Sequence, residues 1–328
     1  MSDYLTAFAG RRVLVLGASG FIGRWTAALL AAGGAEVVAS GRDAEATRAA
    51  LASLEPHFPV TGSVEVRTCQ LAEPGALERL VGEVRPSVVF NLAGYGVDRS
   101  ERDEALSRRI NQDLLHELTY AIRDTRDDDW LGQHLVHAGS ALEFGVVTGD
   151  LSDTWHCRPT TVYGRTKLGG SEHVVGAVQR NDLRGVTARL FTVYGPGEHD
   201  GRLLPSLRAA AEAEGDLELT AGTQLRDFTH VEDVASGLLR LGAMEHTLGE
   251  AALNLATGQM TSVRGFVEVA GAALGIPAER MRFGALETRP EEMCHDPVSV
   301  TRLVQLTGWR PSMTIAEGVA RSLEIDPR

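Results

Sequence analysis

The chain has 328 residues, enough for one large or two modest domains, and is 43% hydrophobic without an apolar run long enough to span a membrane. Its net charge of −12 opposes nucleic acid or an anionic membrane as the main partner, since such binding needs a positive stripe, so any anionic ligand must meet local arginines. Cys69, Cys157 and Cys294 are too scattered for a disulfide framework or metal cluster, and the first residues lack the succession of a secretory signal, so a cytoplasmic protein with inert thiols is expected.

Short apolar runs alternate with longer amphipathic segments through the first half. Residues 12–17, 35–40, 64–69, 87–92, 134–137 and 185–190 are β-branched or leucine-rich, as buried parallel strands should be. This βαβ alternation predicts an α/β fold whose residues 1–190 form a doubly wound parallel sheet. Past residue 191 the alternation weakens, and helices are predicted over 203–214, 231–243 and 263–273. A smaller, mainly C-terminal α/β domain is expected over 191–328, with a stretch near 228–258 packing back on the sheet.

The first strand runs into Gly17, Ala18, Ser19, Gly20, Phe21, Ile22 and Gly23, ahead of a helix predicted over 24–32. Between strand and helix, these glycines permit a tight turn and close backbone approach, so that a pyrophosphate can sit on the helix N-terminus. A glycine turn without a ligand is the other reading. After the second strand comes Ser40-Gly41-Arg42-Asp43. Gly41 falls where an acidic side chain would hold the ribose hydroxyls of NAD, and Arg42 can pair with the 2′-phosphate of NADP. NADP(H) is therefore preferred, with NAD(H) the alternative if Asp43 takes the ribose.

Lys167 is the only lysine, and it stands four places after Tyr163. Elsewhere the chain uses arginine, a planar fork that keeps its charge, so the exception suggests a task for a compact ammonium. Residues four apart share a helix face, and a fixed ammonium stabilises a phenolate, which would lower the tyrosine pKa into useful range. On spacing alone the pair reads as a solvent-facing helix pair. The rest of the chain gives it a function.

Further runs are Asn91-Leu92-Ala93-Gly94, Ser140-Ala141-Leu142-Glu143-Phe144-Gly145, Arg189-Leu190-Phe191-Thr192-Val193-Tyr194-Gly195-Pro196-Gly197, Arg226-Asp227-Phe228-Thr229-His230-Val231-Glu232-Asp233-Val234-Ala235, Asn254-Leu255-Ala256-Thr257-Gly258 and Thr307-Gly308-Trp309-Arg310-Pro311. With the glycine loop and Tyr163/Lys167 they span nearly the whole chain. Together they resemble the extended short-chain dehydrogenase/reductase family, in its nucleotide-sugar epimerase, dehydratase and ketoreductase branch. The resemblance implies a Rossmann sheet contacting the dinucleotide through Gly17, Ser19, Gly20, Phe21, Ile22, Gly23, Arg42, Gln70, Leu71, Leu92, Ala93, Gly94, Tyr163 and Lys167. It makes Ser140 the hydroxyl that bonds the reacting oxygen, Tyr163 the proton donor or acceptor, Lys167 the nicotinamide-ribose ligand and Asn111 the organiser of a proton relay. The chemistry needs such groups, because hydride addition to a carbonyl creates an alkoxide that aimed donors stabilise.

On the substrate side the resemblance assigns Thr192, Arg226 and Arg289 to a nucleotide sugar, the two arginines facing its diphosphate. It reads His230 and Asp233 as a structural helix start, leaving no metal site, and it implies a homodimer. The departures matter too. Ala141 and Leu142 replace the acid and base that dehydratases carry after the hydroxyl residue, so 4,6-dehydration is excluded from the expected chemistry. Thr192 replaces a common asparagine, Gln70 an aspartate that approaches adenine, and Phe144 a tyrosine. The expected activity is NADP-dependent reduction of a nucleoside-diphosphate 4-keto-6-deoxysugar. An epimerase using the same Ser/Tyr/Lys set is the alternative, and a catalytically silent dinucleotide sensor or RNA binder is a third reading.

Overall fold

A computed structural model describes residues 3–97, 100–145, 151–153, 156–245, 251–287 and 297–326. Its first strands are β1 (Arg12–Leu16), β2 (Glu36–Gly41), β3 (Ser63–Thr68), β4 (Val88–Asn91), β5 (Leu135–Ser140) and β6 (Gly185–Leu190). Then come β7 (Thr192–Tyr194), β8 (Leu217–Leu219), β9 (Leu225–His230), β10 (Ala252–Leu255), β11 (Met260–Ser262) and β12 (Met281–Phe283). Helices α1 (Asp3–Thr6), α2 (Phe21–Ala32), α3 (Ala44–Ala52), α4 (Ala76–Val84), α5 (Glu104–Arg108), α6 (Leu114–Thr125) and α7 (Val162–Gln179) accompany the first six strands. Helices α8 (Leu203–Glu212), α9 (Val231–Ala243), α10 (Val263–Ala273), α11 (Thr301–Thr307) and α12 (Ile315–Ile325) follow.

The main sheet has the order β3-β2-β1-β4-β5-β6-β10, with every neighbouring pair parallel. Strand order reverses between β1 and β4, and sheets of this kind bind ligands at the C-terminal edge of such a reversal. Val13, Val15, Phe90 and Val136 bury one face against Trp25 and Leu30 of α2 and Val234 and Leu238 of α9. Leu14, Leu16 and Val89 bury the other against Leu77, Leu80, Leu114, Leu118 and Val174 of α4, α6 and α7. A strand covered on both faces can be apolar at consecutive positions, which is why Val13–Leu16 reads as an unbroken run.

Three features differ from expectation. Strand β3 is not buried: five of its six residues are exposed, and only Val66 packs partly on the core. It is the sheet's edge, and Glu65 and Arg67 point charge where another strand could otherwise pair. The fifth strand runs to Ser140 rather than ending at His137, because β6 pairs with it along Leu135–Ser140. Helix α2 begins at Phe21, directly after the extended Gly20.

A small sheet, β11-β9-β7, and the parallel pair β12-β8 make up the rest of the strands. Here Phe228 stacks on Phe266 at 4.4 Å between ring centroids, and Tyr194 meets Phe266 edge-on at 5.0 Å. Strand β10 returns to extend the main sheet beside β6. Among the described residues no helix is long and apolar enough to cross a membrane.

Candidate active site

The turn after β1 leaves no room for side chains at its glycines. Gly17 has φ +79°, and a Cβ there would lie 2.8 Å from the Ala93 nitrogen. A Cβ on Gly23 would strike the Gly17 carbonyl, and one on Gly20 would lie 3.1 Å from it. The turn, the start of α2 and the loop after β4 therefore form a cradle that any larger residue would fill. At its floor the first amides of α2 follow a residue without a capping side chain, which suits a pyrophosphate. Arg24 braces the loop, donating from Nε to the Gly20 carbonyl at 3.2 Å and from Nη2 to that of Ser19 at 3.0 Å. Sequence reasoning missed Arg24, although a charge one turn into an apolar helix was the signal.

At the outer end of the cradle a Cβ on Gly41 would strike Thr47 Oγ1 and lie 3.3 Å from Ser19 Oγ. An acidic residue therefore has no space at this position as the chain is folded. Arg42 beside it is exposed, and Gln70 donates from Nε2 to its carbonyl at 3.2 Å. Asp43 caps α3, accepting from the Ala46 amide at 2.9 Å. Leu71 and Ala93 are half-buried against the core under the α4 and α6 face, and Leu92 against the opposite one.

Ser140 ends β5, and Tyr163 occupies the first turn of α7, whose Thr161 cap accepts from the Gly164 amide at 3.0 Å. Ser140 is among the groups that act on the Tyr163 phenol. Lys167 is buried; its Nζ donates to the Ala138 carbonyl at 2.8 Å and lies 6.0 Å from the Tyr163 ring centroid. Gly94 connects this group to the cradle, since a Cβ there would sit 3.5 Å from Lys167 Nζ and 3.6 Å from Asn111 Oδ1. At Gly96 a Cβ would lie 3.3 Å from Tyr163 Cδ2. Asn111 sits in a π-helical turn, Arg109–Asp113, of the kind that marks functional positions. Its Oδ1 accepts from the Tyr95 amide at 3.0 Å, and its Nδ2 donates to the Tyr95 carbonyl at 2.7 Å and to Thr166 Oγ1 of α7 at 3.1 Å.

The electrostatics correct one expectation. Burial pushes the Lys167 ammonium down to about 8, against the Glu143 carboxylate, which holds it up. The phenol of Tyr163 is raised above its ordinary value, by burial first and then by Glu143; Glu101 adds to this, while Arg202 and the Ser140 hydroxyl oppose it. The expected lowering of the tyrosine by Lys167 is not found: the ammonium is turned to Ala138, and desolvation with a nearby anion keeps the proton on oxygen. Sequence reasoning also missed Glu143, Arg202 and Glu198; burial raises the Glu198 carboxyl to about 7, with Arg202 at 3.6 Å opposing.

Of the residues expected to meet a substrate, Thr192 pairs with Phe228 between β7 and β9, and Arg226 lies two residues before Phe228, on the same side of β9. The Thr192 hydroxyl oxygen is buried, with no hydrogen-bond partner among the described residues. Arg289 lies outside the described residues, as does Cys294. His230 and Asp233 are occupied as tethers. His230 Nδ1 accepts from the Glu232 amide at 3.3 Å, and Asp233 accepts from Ser312 Oγ at 2.6 Å and from the Ser312 and Met313 amides at 2.9 and 3.2 Å. The structure thus gathers Ser140, Tyr163, Lys167, Asn111 and Gly94 with the glycine cradle, while Thr192 and Arg226 belong to the second sheet.

Known proteins share this plan. The NAD dependent epimerase/dehydratase family matches residues 13–256. A dTDP-6-deoxy-L-talose 4-dehydrogenase (NAD(P)(+)) from Kitasatospora kifunensis is 30% identical over 321 residues, covering 95% of this chain and 94% of that protein. A dTDP-L-rhamnose 4-epimerase from Burkholderia thailandensis is 23% identical, covering 97% and 96%. MoeE5, solved in complex with UDP-glucose and NAD, aligns with a TM-score of 0.79 at 29% identity over 97% of this chain and 99% of its own. With the cradle, the parallel sheet and the Ser140/Tyr163/Lys167 cluster in place, the chain belongs to the NAD dependent epimerase/dehydratase family.

Proposed function

We propose that this protein is an NADP-dependent reductase that converts a nucleoside-diphosphate 4-keto-6-deoxysugar to the hydroxy sugar. The observation that supports this best is the gathering of Ser140, Tyr163 and Lys167 beside the glycine cradle, where a Cβ on Gly94 would lie 3.5 Å from Lys167 Nζ and one on Gly96 3.3 Å from Tyr163 Cδ2. A bound nicotinamide dinucleotide would supply the hydride. Residues Gly17 to Gly23, Gln70, Leu71, Leu92, Ala93 and Gly94 would hold it, with Lys167 at the inner end. Tyr163 gives its proton to the carbonyl oxygen as negative charge develops there, and Ser140 donates to the same oxygen. Ala141 and Leu142 carry no group that transfers a proton, so elimination of water has no acid and base at this position.

The exposed Arg42, with Gly41 closed to an acidic side chain and Asp43 engaged as a cap, supports NADP over NAD. Thr192, Arg226 and Arg289 are proposed to hold the nucleotide sugar, in a substrate-binding part formed mainly by residues 191–328. A homodimer is proposed, formed through the helices that carry Asn111 and Tyr163. The epimerase reading is favoured by the rhamnose 4-epimerase relative and by NAD in the MoeE5 complex. Offering the purified protein a panel of nucleotide-linked ketosugars with NADPH or NADH separates the two. Net cofactor oxidation with one hydroxy sugar formed supports the reductase; a sugar isomer without net oxidation replaces it with the epimerase.

A further inference from the structure

Glu143 lies in the single turn after β5, Ala141–Glu143, with its side chain fully buried. Its Oε1 accepts from the Ser140 amide at 2.8 Å and from Ser171 Oγ at 2.9 Å, and its Oε2 accepts from Arg189 Nε at 3.0 Å. Arg189 is anchored in turn, donating to the Asp153 carbonyl at 2.9 Å and lying 5.0 Å from the Phe144 ring centroid. The space is made by a missing side chain, since a Cβ on Gly139 would sit 2.6 Å from Glu143 Oε1. Ser171 stands one helical turn beyond Lys167 on α7. One carboxylate therefore joins the strand end carrying Ser140 to the helix carrying Tyr163 and Lys167.

We propose that Glu143 is a positioning residue of this site: it clamps the Ser140 strand end to α7 and is the buried counter-charge for Lys167, which bonds the same strand at Ala138. Two buried cations, Lys167 and Arg189, share this layer, and buried cations persist only with an anion beside them. The other groups facing Lys167 cannot serve. His137 of β5 is held neutral by burial and by Lys167 itself, while Asn111 and the Ala138 carbonyl carry no charge. Beyond Lys167 itself, the charged groups acting on Tyr163 are Glu143, Arg202 and Glu101, so Glu143 acts on both members of the pair. The inference rests on the proposed reaction only in treating Ser140, Tyr163 and Lys167 as the machinery.

Because Lys167 is the sole lysine, selective nitrogen-15 lysine labelling gives one side-chain ammonium to follow by NMR as pH is varied, with no substrate present. In Glu143→Gln the midpoint falls by about one pH unit or more, a tenfold or greater loss of proton affinity. Ser171→Ala removes a hydrogen bond but keeps the charge, and its midpoint stays with the wild type. Since Glu143→Gln leaves the Arg189 guanidinium without its anion, the double variant Glu143→Gln/Arg189→Met is the companion test should the single one not fold. The midpoint falls there too, though by less, because Arg189 sits beyond the carboxylate, bonded to Oε2, while Oε1 faces Ser140 and Ser171 of the helix that carries Lys167. A wild-type midpoint in the folded single or double variant overturns the proposal. Failure of every sugar substrate would leave this titration unaffected and would count against the proposed reaction alone.

Discussion

Replacing Lys167 by methionine tests whether the ammonium is held in the fold at an energetic cost. The side chain is 3% exposed, and burial lowers its pKa from 10.5 to about 8. The unfolded chain binds this proton more tightly than the folded one, so between those two values the unfolded state carries more protons and stability rises with pH. At neutral pH the gap opposes folding by about 3 kcal/mol. Lys167→Met removes that penalty but leaves the Ala138 carbonyl without its donor, which costs ~1–3 kcal/mol. The variant at neutral pH is therefore between equal to the wild type and about 2 kcal/mol more stable, although inactive. Urea unfolding of both proteins from about pH 7 to about pH 9 gives the sharper test. Across that range the difference moves by about 1 kcal/mol in favour of the wild type, while other titrations cancel between the two proteins. A difference that does not change with pH, or that moves the other way, refutes the reasoning.

Arg42→Ala is expected to weaken NADPH about ten- to a hundredfold and to leave NADH nearly unchanged in fluorescence titrations, the scale of a lost charged hydrogen bond; equal losses would contradict the assignment. Asp43→Ala is expected to lower the unfolding free energy by about 1 kcal/mol through its cap while leaving dinucleotide affinity in place. Loss of NADH binding in that variant would give Asp43 the ribose instead. Asp227 is fully buried and accepts from Thr229 Oγ1, Thr257 Oγ1 and the Thr257 and Gly258 amides. Asp227→Ala should cost at least about 3 kcal/mol in denaturant unfolding, since each stranded donor costs ~1–3 kcal/mol; a loss below about 1 kcal/mol would show that water replaces the carboxylate.

Local chemistry made much of the fold legible. The glycine loop announces itself because only glycine tolerates its contacts with Ala93 and with the Gly17 carbonyl, and β6 is found at residues 185–190 as its apolar run implied. The remaining motifs of the resemblance prove to be tertiary ties: Asp227 holds Thr257 and Gly258, and Trp309 Nε1 donates to Ser236 Oγ at 3.0 Å. What stayed hidden is non-local. Val64, Glu65, Val66 and Arg67 alternate as an exposed strand should, yet the edge position of β3 depends on how the other strands are ordered. Ala138, Gly139 and Ser140 have little strand preference of their own and are extended by pairing with β6. Glu143 and Arg189 are 46 residues apart, so no local pattern joins them. The spacing of Tyr163 and Lys167 placed both on one helix but did not reveal that the ammonium turns to Ala138.

Dinucleotide binding and net NADPH oxidation should be measured side by side for the wild type and Tyr163→Phe with a nucleotide-linked 4-keto-6-deoxysugar. If Tyr163 is the proton donor, the variant binds NADPH as tightly as the wild type and its turnover falls by about 10²–10⁴-fold. Turnover at the wild-type rate in a variant that lacks only the phenolic oxygen would contradict that role.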